Sequence, residues 1–180
     1  MECLIELNNE YILFIHDIDI LLYSNKQFID RILYTMRNLN IDRVDLKHSP
    51  ILTNNNILID GVSLVKQLNP NSFIYNVNPS IWKTTSFIDL LSNFRSKTYR
   101  TIEDIDTQIF CMKYNIYKTH TPSYLKCGYY NCTEFFKFLH ISHSGTLLSS
   151  NENCCTVYGQ SCLDIKEDLT NILNKYFNIT

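Results

Sequence analysis

Six of the seven cysteines (Cys111, Cys127, Cys132, Cys154, Cys155 and Cys162) fall within 52 consecutive residues, and Cys3 alone stands apart. That clustering constrains the chain more than any other feature. The first residues, Met1-Glu2-Cys3-Leu4-Ile5-Glu6, lack the basic stretch of a secretory signal. No run of apolar residues approaches the roughly 18–20 that a membrane crossing needs. The expected compartment is the nucleus or cytoplasm, where thiols stay reduced and disulfides are not the default use of cysteine.

Core packing accounts for one or two buried cysteines. It accounts poorly for a cluster lying in a segment that also holds three of the four glycines. Small loop-rich units need a staple. Thiolates with two to four residues between them can meet one tetrahedral Zn²⁺. Cys127-Gly-Tyr-Tyr-Asn-Cys132 has four residues between its thiols, Cys155 and Cys162 form a looser second pair, and His120 precedes the first. The expected staple is one structural Zn²⁺ held by four of His120, Cys127, Cys132, Cys155 and Cys162. A compressed alternative uses Cys127, Cys132, His140 and His143.

The rest of the chain reads as mixed α+β, with an α/β part over 1–110 and a cysteine-rich knuckle plus closing C-terminal helix over 111–180. Hydrophobic residues at 45% suffice for a core, and charged residues at 19% argue against disorder. Helical spacing predicts helices over Lys26–Leu39, Ser86–Phe94, Thr101–Met112 and Asp164–Phe177. In the third, Thr101 and Asp104 are placed like a capping box. Glu2–Leu7 and Tyr11–Ile15 suggest a strand pair, Phe73–Val77 a strand, and Gly61–Leu68 a short helix.

A net charge of −2 excludes binding of nucleic acid by bulk basicity. The densest basic group, Lys83, Arg95, Lys97 and Arg100 near Trp82 and Tyr99, supports direct nucleic-acid contact only as a weak reading. Asp17 and Asp19 end an apolar strand in the manner of an aspartate phosphatase. Ile20 follows the second Asp where that motif has glycine, and no later acidic pair suits Mg²⁺, so a phosphatase-like enzyme using Asp17 and Asp19 ranks last. The sequence contains no GxSxG, P-loop, GxGxxG or HExxH. The 22 Ile, 20 Asn and absence of Ala reflect AT-rich coding and make a viral or parasite source plausible.

From Cys111 through His120, Cys127-x₄-Cys132 and Cys155-Thr-Val-Tyr158-Gly159 to Cys162, the segment resembles the cysteine-rich core of a late-gene transcription regulator shared by beta- and gammaherpesviruses. Tyr158 stands where that family has Thr, and Cys111 alone stands where it has a tight Cys-x-x-Cys. The resemblance implies a non-enzymatic adaptor, one subunit of a viral late-gene pre-initiation complex whose other subunits are its partners. It places His120, Cys127, Cys132 and Cys155 in the zinc-binding role. The alternative is a viral host-modulating binding protein without a transcriptional role. In either case Tyr129 and Tyr130, part of a tyrosine-rich knuckle, are the expected partner contacts, since Tyr offers rigid area with a polar tip.

Overall fold

The computed structural model describes residues 4, 6, 8–16, 19–46, 56–68, 74–98, 101–120, 131–132, 136–140, 142–143, 146–147, 167, 170–171 and 174–175. Two compact units emerge, one from residues 1–16 and 26–122, the other from 17–25 and 123–180. Both are built around sheets, and with three helices bounded among the described residues of the first unit the fold is mixed α+β.

The first unit holds a six-stranded sheet in the order β1 (Tyr11–Phe14), β6 (Ser80–Lys83), β3 (Arg43–Asp45), β7 (Ile116–His120), β5 (Val62–Lys66), β4 (Asn56–Ile59). Neighbours are antiparallel except the parallel central pair β3–β7. Side chains alternate between faces along each strand. One face carries Ile12, Phe14, Trp82 and Ile116, which pack in one cluster with Phe87, Leu90 and Cys111 from α2 (Thr84–Asn93) and α3 (Ile105–Cys111). The alternate positions Val44, Ile81, Leu64 and Val62 are equally buried. α1 (Lys26–Asn38) lies against β4 and buries Phe28, Ile32 and Met36 at four-residue spacing.

Local chemistry explains the boundaries. α1 ends in a Schellman motif: Asn40 takes φ 48°, Ile41 N–H bonds to Met36 C=O, and Asn40 N–H to Arg37 C=O. Gly61–Leu68, expected as a short helix, is instead half of a hairpin. Asp60 and Gly61 both take positive φ (50° and 85°), which makes a type I′ turn and pairs Ile59 with Val62.

Three further expectations change. Leu4 and Glu6 are helical rather than extended. β1 pairs instead with the distant β6, where Thr84 N–H also bonds to Glu10 C=O and Thr84 Oγ1–H to Asn9 C=O. α3 is shorter than expected, because Asp104 is itself the N-cap and accepts from Thr107 N–H at 3.0 Å, while Thr101 Oγ1 bonds within a local turn to Thr98. Ile74–Val77 is bent rather than a strand, for the reason given below.

The second unit contains a three-stranded antiparallel sheet in the order β2 (Asp19–Ser24), β9 (Phe136–His140), β8 (Asn131–Cys132), and a small ribbon of β10 (Ser142–His143) and β11 (Thr146–Leu147). Phe136 is buried in it. Glu167, Thr170, Asn171, Asn174 and Lys175 are helical and exposed, as the polar positions of the expected C-terminal helix should be. Among the described residues no helix is long and apolar enough to cross a membrane.

Candidate functional site

The most elaborate side-chain arrangement lies under the bent segment 74–79. Arg43 on β3 is fully buried, and its guanidinium lies over two adjoining rings, 5.2 Å from the centroid of Tyr75 and 5.1 Å from that of Trp82. Its Nη1 donates to Ile74 C=O at 3.2 Å, and its Nη2 to Asn76 C=O at 2.8 Å and Asn76 Oδ1 at 2.9 Å. Asp45, two residues along the same strand and also fully buried, is 3.7 Å from Nη2 and accepts from Asn76 Nδ2 at 2.8 Å.

Side chains of α3 and the turn before it complete the clamp. The Gln108 amide pairs with both backbone groups of Tyr75, accepting at 2.7 Å and donating at 2.8 Å, as a neighbouring strand would. Glu103 accepts from Val77 N–H at 2.8 Å. Side chains therefore replace strand partners for this loop, which is why its alternating sequence does not become a strand. Arg43, Asp45 and Gln108 are buried and their hydrogen bonds hold the loop, while Arg43 Nε is a buried donor without a partner among the described residues.

Burial pushes the Cys111 thiol up to about 12, with the Arg43 charge opposing the shift only partly. Burial also pushes the Tyr75 hydroxyl up to about 12. Neither group ionises near neutral pH.

Carboxylates tie the helices to neighbouring turns and loops. Asp42 accepts from Ser86 Oγ at 2.5 Å and from Asn115 N–H at 2.8 Å. Asp89 on α2 accepts from Lys113 Nζ and Tyr114 O–H, both at 2.6 Å, and those bonds hold its carboxyl below the usual range. Lys97 pairs with Asp104, and with the Thr107 amide it holds that carboxyl down at about 2.

The outer side of α3 is different. Ile105, Ile109 and Met112, at helical spacing, are 54%, 55% and 51% exposed.

The residues expected from sequence are distributed as follows. His120 ends β7, a strand held between β3 and β5, and is half-buried. Cys132 ends β8, while Cys127, Tyr129, Tyr130, Cys155 and Cys162 lie outside the described residues. Among the described residues no group of three or more His, Cys, Asp or Glu is gathered to hold a metal ion. Asp19 is paired in backbone register with His140, and Asp17 lies outside the described residues.

Of the basic group, Lys83 donates to Asn40 at 2.9 Å, and Lys97 lies 4.8 Å from the centroid of the Phe94 ring besides pairing with Asp104. Arg95 is exposed, and Arg100 is outside the described residues. Two of these cations thus hold local structure. Sequence reading missed Arg43 and Asp45, which stand with Asp42 as three charged residues in the short run Ile41–Leu46 and look there like surface positions.

No protein-family model matches the chain, and no curated protein matches it.

Proposed function

We propose that the chain is a non-enzymatic adaptor that binds other proteins through its cysteine-rich segment, as a subunit of the viral late-gene transcription assembly that this segment resembles. The observation that carries the reading is how the segment is anchored. Its early part is built into the first unit as β7, an inner strand of the six-stranded sheet, whose last residue is His120. A donor set of thiols and one imidazole suits structural Zn²⁺, which takes four such ligands and leaves no position open. In this reading His120 is the fixed ligand, cysteines drawn from Cys127, Cys132, Cys155 and Cys162 fold onto the ion, and Tyr129 and Tyr130 meet the partner.

The first unit supports an adaptor by its construction. Its buried guanidinium and the carboxylates of Asp42, Asp89, Glu103 and Asp104 clamp its own loops and helices, as a rigid scaffold requires. The test is affinity purification of the tagged full chain from infected cells during late gene expression. Recovery of viral transcription subunits, lost in the Tyr129→Ala/Tyr130→Ala variant, supports the proposal. Recovery of host factors alone favours the host-modulating alternative, and no specific partner at all refutes both.

A further inference from the structure

The outer face of α3 offers a self-complementary pattern. Ile105, Ile109 and Met112 form an apolar stripe along one side of the helix and its following turn, each more than half exposed. A charge flanks each end: Asp106 in the first turn and Lys113 just past the last. Asp106 is exposed and makes no hydrogen bond or ion pair among the described residues. Lys113 reaches back to Asp89 and lies 3.8 Å from the centroid of the Phe110 ring, with its side chain 46% exposed.

Helical residues three and four apart share a face, so the stripe is nearly symmetric about Ile109. Two such helices laid antiparallel, with the two-fold axis through Ile109, bring Ile105 opposite Met112 of the other copy. The same axis brings Asp106 opposite Lys113, twice. A two-fold interface requires this reciprocity, in which each residue meets the other's partner.

We infer that the chain self-associates through α3, packed antiparallel against α3 of a second copy. This goes beyond the adaptor reading and does not depend on it. A helix of this length buries less than the ~1,200 Å² of a standard interface, so the pair is a weak, transient one. Its specificity comes from the two Asp106–Lys113 contacts.

Sedimentation velocity of the full chain over a concentration series tests it. The expected result is a monomer–dimer equilibrium at high concentration. Ile109→Lys, at an exposed position, should abolish the dimer while leaving Trp82 fluorescence unchanged. Asp106→Lys and Lys113→Glu should each weaken dimerisation about tenfold by opposing like charges, and an equimolar mixture of the two should restore it as a heterodimer.

A monomer at every concentration overturns the inference and leaves the stripe to a different protein or to cover within the same molecule. A dimer that survives Ile109→Lys, or a mixture no better than either variant alone, also overturns it. Lys113→Glu gives up its Asp89 partner; should it not fold, hydrogen exchange of the unaltered chain decides. Peptides spanning 105–112 must then gain protection with concentration, and no gain refutes the pairing.

Discussion

Replacing Arg43 by Met removes the guanidinium while keeping a long apolar side chain against Tyr75 and Trp82. Three buried hydrogen bonds disappear, to Ile74 C=O, Asn76 C=O and Asn76 Oδ1, as does the cation 3.7 Å from Asp45. Removing one member of a buried charge pair costs about 3–5 kcal/mol, and a buried acceptor left unpaired about 1–3 kcal/mol. The Met side chain offsets part of this through contact with the two rings and by avoiding the desolvation of a guanidinium. A net loss of about 3–5 kcal/mol is expected, a large share of the roughly 5–15 kcal/mol that holds a domain together.

For a chain of this size that corresponds to a melting temperature lower by about 10 °C. Trp82 is the sole tryptophan and stacks on Arg43, so urea unfolding followed by its fluorescence, with circular dichroism as a second probe, reads the change at the site. Amide exchange at Tyr75 and Val77, now bonded to Gln108 and Glu103, should accelerate ahead of the rest of the sheet. The double variant Arg43→Met/Asp45→Asn should recover part of the loss, because the carboxylate charge leaves with the cation. If Arg43→Met lies within about 1 kcal/mol of the unaltered chain, the rings and α3 alone hold the loop, and the reasoning fails.

Other outcomes follow from the same structure. Gly61→Ala meets no atom within 4 Å but must hold φ near 85°, so it should cost about 1–2 kcal/mol in urea unfolding; a neutral result would deny the type I′ turn. The Asp104 carboxyl is held at about 2 against an ordinary 3.8. Its cap should therefore stabilise α3 fully above pH 3.8 and be lost as pH falls through about 2. A carboxyl-carbon NMR titration with a midpoint at or above 3.8 would contradict that assignment. Cys111, buried and with its thiol at about 12, should resist alkylation at pH 8 in the folded chain and react once urea unfolds it, as read by mass spectrometry. Native labelling at the rate of an exposed thiol would show that the core around it opens.

What could be read from sequence was the periodic material. The four-residue spacing of Phe28, Ile32 and Met36 announced α1, and Phe87 with Leu90 announced α2. The errors came where a short-range signal outranked periodicity. Asp60-Gly61 is a strong hairpin signal, yet Val62, Leu64 and Val65 also fit a helical turn, and only the turn chemistry separates the two. At Ile74–Val77 the alternation was real but the partners are side chains. Gln108 and Arg43 reach the segment from positions more than thirty residues away, which no local pattern encodes. Arg43 was illegible for the same reason, since a lone arginine reads as surface until the rings around it are known. Asp17 and Asp19 were expected to end an apolar strand, but β1 ends at Phe14 and Asp19 begins β2 of a different sheet. Of the candidate metal ligands, the sequence supplied the types and spacing, and the structure adds the anchoring of His120 at the end of β7.

The proposal that a zinc-stapled segment is carried on a rigid α+β scaffold is tested most directly by metal analysis. The full chain, purified without chelator and quantified by plasma mass spectrometry, should carry one Zn²⁺ per molecule. Cys132→Ser should lower that content and destabilise residues 123–180, because binding of structural zinc is itself folding free energy. A folded chain containing only trace metal, with Cys132→Ser as stable as the parent, would contradict the account.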